Sequence, residues 1–89
     1  MPKYRIIFHR KADKALDKLD KKTRQRLLEK ILFLETFPEF NEHLDIVKMA
    51  GQKDFYRLRT RNLRAMFTVD KTTRTIIILK IAQREAAYE

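Results

Sequence analysis

The sequence contains no cysteine and no serine, and it has only one glycine and two prolines. Without cysteine the chain can form no disulfide and offers no thiolate for catalysis or metal binding. Without serine a Ser/His/Asp arrangement is excluded. A single glycine leaves no glycine-rich phosphate loop. Any chemistry must therefore come from charged, aromatic and amide side chains.

Long hydrophobic runs are also missing. No stretch approaches the roughly 18 apolar residues that a membrane-spanning helix needs. The N-terminal sequence MPKYRIIF lacks the longer apolar region of a signal peptide. The absence of cysteine permits a reducing compartment. We therefore expect a cytoplasmic protein that does not enter a membrane.

The chain has 89 residues and a strong excess of positive charge. This length predicts one domain, residues 1–89, because two independent cores would not fit. Lysine and arginine number 21 against 12 acidic residues, a formal net charge of +9. Ten basic and four acidic groups lie in residues 48–89, so the excess is greatest there. Such a balance favours an anionic partner: nucleic acid, an anionic membrane surface or an acidic protein.

The first half of the chain reads as one strand followed by two helices. KYRIIFH at residues 3–9 is rich in β-branched and aromatic residues and predicts a strand. From about Arg10 apolar residues recur at helical spacing, which predicts a short amphipathic helix. Asp20 is a candidate N-cap for a second helix that runs to about Phe37, and Pro38 marks its end. The connection is so short that we expect an antiparallel helical hairpin.

The second half predicts a loop followed by three strands. Residues 38–52 lack a clear period and read as a loop that Ile46, Val47 and Met49 anchor to the core. Two strands follow, one around Arg57 and one formed by LRAMFTV. The apolar run TIIILKIA predicts a third strand, covered on both sides and central in the sheet. The expected fold is α+β, β-α-α-β-β-β, with the helical hairpin packed on one face of a mainly antiparallel four-stranded sheet.

Arginines are concentrated in the segment GQKDFYRLRTRNLR. Alternation in a strand predicts Arg57, Arg59 and Arg61 on one face, with Leu58 on the other, and Arg64 follows on the next strand. Guanidinium groups bind phosphate in a bidentate manner and keep their charge at any relevant pH. The cluster therefore predicts either a polynucleotide-binding platform or solvated charges that discourage edge pairing of strands. These residues alone leave both interpretations open.

No metal or cofactor site is expected. His9 and His43 lie in different contexts and are interpreted as structural or surface residues. The helical carboxylates alternate with lysines and read as surface ion pairs. The reaction most compatible with such a chain is RNA cleavage by the substrate's own 2′-OH, in which cations stabilise negative charge on the phosphate. Composition cannot separate this enzyme from a passive RNA binder.

The chain resembles the RelE/ParE superfamily of bacterial and archaeal toxins, and RelE-type members in particular. The resemblance covers nearly the whole chain and rests on the element order and on four short motifs. These are Met49-Ala50-Gly51, Tyr56-Arg57-Leu58-Arg59, Leu63-Arg64 and Arg84 with Tyr88 four residues beyond. The family commonly shows Leu-x-Gly, Tyr-Arg-x-Arg, Tyr-Arg and Gly-His-Arg with a following Tyr at these places.

The resemblance implies a ribosome-dependent endonuclease that cuts mRNA in the decoding A site and is neutralised by an acidic, RelB-like antitoxin in a hetero-oligomer. It implies catalytic roles for Arg64, Arg84 and Tyr88. RNA binding is then assigned to four further cations, Arg57, Arg59, Arg61 and Lys80. The family's frequent histidine is replaced by Gln83, and Leu63 replaces a frequent tyrosine. Two alternatives stay open: a ParE-like inhibitor of DNA gyrase, and a weak or inactive protein that binds only RNA or antitoxin.

Overall fold

A five-stranded mixed sheet carries two helices on one of its faces. The computed structural model describes residues 3–37, 39, 44–51 and 53–83. The helices are α1 (Arg10–Asp17) and α2 (Lys21–Leu32), and a short 3-10 helix (Phe33–Thr36) continues α2. The strands are β1 (Arg5–Phe8), β2 (Asp45–Lys48), β3 (Phe55–Arg59), β4 (Leu63–Asp70) and β5 (Thr75–Gln83). The expected α+β class and the pair of helices are confirmed.

The strand order is β1-β5-β4-β3-β2, and this differs from the expected four-stranded sheet in one strand. The additional strand is β2, which lies in the segment expected to be a loop. It pairs antiparallel with β3, and Ile46 lies opposite Leu58. Its four residues are too few to show a period, so the neighbouring strand rather than local propensity decides their conformation. Ile46 packs against the core as expected, whereas Val47 is 41% exposed.

The first strand and the last strand lie side by side in parallel, and Arg5 is aligned with Thr75. All other pairings are antiparallel, so the sheet is mainly antiparallel as expected. β5 lies between β1 and β4 and is an interior strand. Its long apolar run is explained by this position, because interior strands are covered more completely than edge strands.

The helix starts are set by side chains that accept hydrogen bonds from backbone N–H groups. Asp20 caps α2 as expected, and its Oδ2 accepts from the backbone N–H of Thr23 at 3.2 Å. Hydrogen bonds from the side chain and then the backbone of Thr23 hold the pKa of Asp20 below its usual 3.8. His9 caps α1, because its Nδ1 accepts from the backbone N–H of Lys11 at 3.1 Å. His9 is therefore a structural residue, as expected.

The core lies between the helices and the face of the sheet that they cover. Helix side chains such as Leu16, Leu27 and Ile31 are buried against strand side chains such as Phe67 and Ile78. Four rings make a continuous row of contacts through this layer: Tyr4 against Phe37 at 5.2 Å, Phe37 against Tyr56 at 5.8 Å, and Tyr56 stacked on Phe67 at 5.5 Å. Aromatic rings at such distances make edge-to-face and stacking contacts, which stabilise the core in addition to the burial of apolar surface. Tyr56 is thus a core residue.

A β-bulge in β5 changes which face its residues occupy. Phe67 is aligned with Ile78 and Met66 with Lys80, so Leu79 is an extra residue with no partner in β4. Simple alternation from Ile78 would place Lys80 in the core. The bulge instead exposes Lys80 and buries Ile81.

Among the residues that the structure describes, no helix is long and apolar enough to cross a membrane.

Candidate nucleic-acid interface

The sheet face opposite the helices, called the outer face below, carries the candidate cations. Residues aligned on neighbouring strands point to the same face. In one row across the sheet Asp45 is aligned with Arg59, Arg59 with Arg64, and Arg64 with Ala82. Leu58, Leu63 and Ala65 alternate with these positions and are buried on the helix side. β2, β3 and β4 therefore place Arg59 and Arg64 side by side.

A second row lies one pleat further along the strands. Val47 is aligned with Arg57, Arg57 with Met66, and Met66 with Lys80. Lys80 is exposed, and it joins this row because of the bulge at Leu79. The two rows together, called the cationic rows below, bring Arg57, Arg59, Arg64 and Lys80 onto one face.

Arg59 is paired with an acidic residue of the edge strand. Its Nε donates to Asp45 Oδ2 at 2.8 Å, and the two side chains are 37% and 46% exposed. At this exposure the pair contributes little to stability, since solvent screens it. The carboxylate nevertheless offsets part of the positive charge of Arg59. Sequence reasoning missed Asp45 because its segment read as a loop, and the four residues of β2 are too few to show the period of a strand.

Arg57 and Arg64 are set more deeply into the face. Both side chains are half-buried, and the Nε atom of each is inaccessible to solvent. No described residue accepts a hydrogen bond from Arg57 Nε. An arginine whose inner guanidinium atom is buried keeps fewer rotamers than an exposed lysine. These two side chains therefore have less rotamer freedom than the exposed Lys80 of the same face.

Arg61 lies outside β3, in the turn that joins β3 to β4. The turn is closed by Thr60, whose backbone N–H donates to Leu63 O at 2.8 Å and whose Oγ1 accepts from Leu63 N–H at 3.1 Å. Arg61 is exposed and lines a groove of about 400 Å³ beside α2, together with Arg26 and Phe33. The expected alternation therefore places Arg57 and Arg59 on the outer face, but it does not extend to Arg61, which lies beyond the end of β3.

The other two residues assigned to catalysis, Arg84 and Tyr88, lie outside the described residues, as does His43. Arg84 follows directly after Gln83, the last residue of β5. Gln83 is aligned with Leu63, so β5 ends beside the residue that precedes Arg64.

The described part of the chain contains no group of three or more His, Asp or Glu side chains that could hold a metal ion. The outer face instead offers guanidinium and ammonium groups. Such an arrangement can bind successive phosphates of a polynucleotide and can stabilise added negative charge on one of them.

Comparisons with known proteins agree with this architecture. A family model described as the ParE toxin of type II toxin–antitoxin systems matches residues 6–88. A protein named as toxin RelE1, from Methanocaldococcus jannaschii, is 33% identical over 87 residues, which are 98% of this chain and 97% of that protein.

Two solved structures of archaeal RelE–RelB complexes contain a similar chain. The match in the Pyrococcus horikoshii complex has a TM-score of 0.79 and 35% identity, covering 91% of this chain and 94% of that one. The match in the Methanococcus jannaschii complex has a TM-score of 0.74 and 27% identity, covering 92% and 94%. The family model and the similarity along nearly the full length together show that this chain belongs to the RelE/ParE superfamily of toxins of type II toxin–antitoxin systems.

Proposed function

We propose that this toxin is of the RelE type: a cytoplasmic endoribonuclease that cuts mRNA in the A site of the ribosome and so inhibits translation. The observation that carries the proposal is the gathering of Arg57, Arg59, Arg64 and Lys80 on the outer face. An open surface of this kind fits a single strand of RNA that is already held in place by the ribosome. Positioning by the ribosome would then supply much of the rate.

The proposed reaction uses the RNA's own 2′-OH. The 2′ oxygen attacks the adjacent phosphorus, the bond from phosphorus to the 5′ oxygen breaks, and the products are a 2′,3′-cyclic phosphate and a 5′-OH. A proton leaves the 2′ oxygen and another reaches the departing 5′ oxygen. Negative charge grows on the phosphate between these events, and nearby guanidinium groups stabilise it.

Each cation has a proposed role in this reaction. Arg64, with Arg84, stabilises the phosphate, and Tyr88 stacks on or activates the substrate. Arg57, Arg59 and Lys80 hold the RNA backbone, and Arg61 extends that contact from its turn. The firm setting of Arg64 supports its role, because preorganised charge costs no rearrangement during the reaction.

An acidic, RelB-like antitoxin is the proposed protein partner, in a hetero-oligomer. Two related solved structures are complexes of RelE with RelB. This chain offers apolar surface for such a partner on both sides of α2. Leu32 is 58% exposed beside a groove against β1, and Phe33 is 47% exposed beside the groove that contains Arg61. An amphipathic segment that folds on binding could cover both side chains.

The test is primer extension on an mRNA held in programmed ribosomes, with purified protein added. We expect cuts phased with the codons, and no cuts in free mRNA. Arg84→Ala and Arg64→Ala should abolish them, and Tyr88→Phe should weaken them. Circular dichroism of each variant checks that the fold is kept, and Arg64→Lys is the milder change at the half-buried position.

Unchanged cleavage in all of these variants would refute the site assignment. No cleavage by the wild type under any condition would refute the enzyme. The family model bears the ParE description, so the same preparation should be tested for inhibition of DNA gyrase in a supercoiling assay. Inhibition of gyrase without mRNA cleavage would establish the ParE-like alternative. If neither activity is found, the remaining alternative is a protein that binds only RNA or antitoxin.

A further inference from the structure

A groove on the helix side of the sheet carries a second group of cations. It has a volume of about 420 Å³ and lies between α1 and the adjoining ends of β4 and β5. One wall is formed by three side chains of the α1 segment, Lys11, Lys14 and Lys18. The rest of the lining is Ala15, Leu19, Leu63, Ile81, Ala82 and Gln83. We call this the α1 lysine groove.

The three lysines share one side of the helix because they are three and four residues apart. They span about 10 Å along the helix axis at 1.5 Å per residue. All three are exposed, and none forms an ion pair with a described carboxylate. Among the described residues, none that lines the groove is acidic. The groove is therefore an uncompensated row of positive charge.

Local stability does not account for this row. Like charges at these spacings repel one another along a helix. Lys11 also lies in the first turn of α1, where the helix dipole disfavours a cation. Lys14, in the last turn, and Lys18, the C-cap, are placed favourably for the dipole, so the unfavourable charge lies at Lys11. An anionic ligand would relieve both the repulsion and the unfavourable end charge.

The lining favours a phosphate backbone over a protein segment. Leu63 and Ile81 form the apolar floor and are only 3% and 7% exposed, whereas the three lysines of the wall are exposed, so charge is the most accessible feature of the groove. The grooves beside α2 present Leu32 and Phe33, which are far more exposed, and they suit a protein better. The residues described at the α1 lysine groove include no aromatic side chain on which bases could stack.

The groove is continuous with the cationic rows around the end of the sheet. Leu63 lies in the groove, and the next residue, Arg64, lies on the outer face. Ala82 lines the groove and is aligned with Arg64. A strand that leaves the outer face at Arg64 therefore reaches Lys11, Lys14 and Lys18 by passing over the end of β5.

We propose that the α1 lysine groove is a second phosphate-binding track, which holds the RNA strand where it continues beyond the segment on the outer face. The inference rests on the proposed function, since it takes the RNA on the outer face as given. The track binds without sequence preference, because lysines contact phosphates as mobile point charges.

The test measures binding of two single-stranded RNAs, of about four and about sixteen nucleotides, over a series of salt concentrations. The variant is Lys11→Ala/Lys14→Ala/Lys18→Ala. Its matched control is Lys21→Ala/Lys22→Ala/Lys53→Ala, which removes three exposed lysines that line none of the grooves described above. A third variant replaces Lys11, Lys14 and Lys18 by arginine and keeps the charge.

For the long RNA, the plot of log K against log salt should become less steep by about 2 in the groove variant, at about 0.7 per lost phosphate contact. The control and the arginine variant should keep the wild-type slope. The short RNA should show a smaller difference among the proteins, because it cannot contact the outer face and the groove at the same time.

Equal slopes for the groove variant and the control would overturn the proposal. So would an effect that occurs only with ribosomes and not with the long RNA, which would assign the groove to ribosomal RNA. Loss of a co-expressed antitoxin with RNA binding intact would assign it to protein, and would also overturn it. The ribosomal cleavage assay reports on the proposed function separately, since wild-type cleavage with equal slopes refutes only the track.

Discussion

The cations of the outer face differ in how far their side chains are buried and in whether a carboxylate offsets their charge. Arg57 and Arg64 are half-buried, Arg59 is bonded to Asp45, and Lys80 stands exposed. Their shared face follows from the alternation of FYRLR and LRAMFTV, which is visible in the sequence. The pairing of Arg59 with Asp45 is not, because it joins residues 14 positions apart through a strand that only the sheet defines.

Asp45 is expected to weaken the binding of Arg59 to RNA phosphates. Asp45→Asn removes the carboxylate that offsets the guanidinium charge, so Arg59 gains a full phosphate contact. The salt dependence of RNA binding should then become steeper by up to about 0.7 in the log–log slope. Glu39→Gln removes the same charge at an exposed site that forms no ion pair with a described residue, and it serves as the control. Identical slopes for the two variants would show that Asp45 has no specific effect on Arg59.

Helix α2 begins where a carboxylate meets free backbone N–H groups. Because hydrogen bonds from Thr23 lower the pKa of Asp20, the ionised carboxylate stabilises the folded state above the unfolded pKa near 3.8. That contribution is lost as the pH falls through the lower pKa of the folded state. The sequence predicted this cap, since the acidic residue directly precedes a helical period.

Asp20→Ala should therefore lower the melting temperature at pH 7, and the difference from wild type should shrink as the pH falls below 3.8. Thermal unfolding followed by circular dichroism over a pH series measures it. Asp17→Ala, at an exposed position where no cap is formed, is the comparison. A difference that stays constant down to the lowest pH would exclude a role for the ionised cap.

Strand β5 contains a residue that its partner strand does not match. Deleting Leu79 should leave every other β4–β5 alignment intact, with Ile78 and Ile81 still buried and Lys80 still exposed. Deleting Thr68 from β4 instead makes Phe67 and Val69 neighbours in the chain, so one of these two buried side chains must leave the core face, because side chains alternate with a period of two. We expect the first variant to fold with a reduced melting temperature and the second to be far less stable. Equal loss of stability, measured by urea unfolding, would contradict this account of the bulge.

The limits of sequence reading at this scale have clear causes. The helices, their starts and the three longer C-terminal strands follow from period and capping. β2 could not be predicted, because four residues at the edge of the sheet carry almost no periodic signal and gain their conformation from β3. The bulge could not be predicted either, because an unbroken apolar run such as TIIIL conceals a change of face.

At the scale of the whole molecule, positive charge surrounds the end of the sheet where β4 begins and β5 ends. The cationic rows lie on one side of it, the α1 lysine groove on the other, and Arg61 in the adjacent turn. The net charge of +9 was evident from composition, but its concentration at one end depends on how the strands are ordered.

This charge should destabilise the folded protein at low salt through self-repulsion. The melting temperature is expected to rise by a few degrees between about 0.05 M and about 0.5 M sodium chloride, because salt screens the repulsion between the exposed charges. The control with Lys21, Lys22 and Lys53 replaced by alanine should show a smaller rise, because it has less charge to screen. A melting temperature that falls with salt would mean that favourable ion pairs outweigh the repulsion.

The parallel pairing of β1 with β5 joins residues 70 positions apart, as in the alignment of Arg5 with Thr75. During synthesis β1 emerges early but has no partner strand until β5 has been made. A contact of such long range also closes slowly, because a long loop must be ordered first. The ribosome that makes this chain therefore completes nearly all of it before the cationic rows are assembled, because Lys80 joins them only with the final strand.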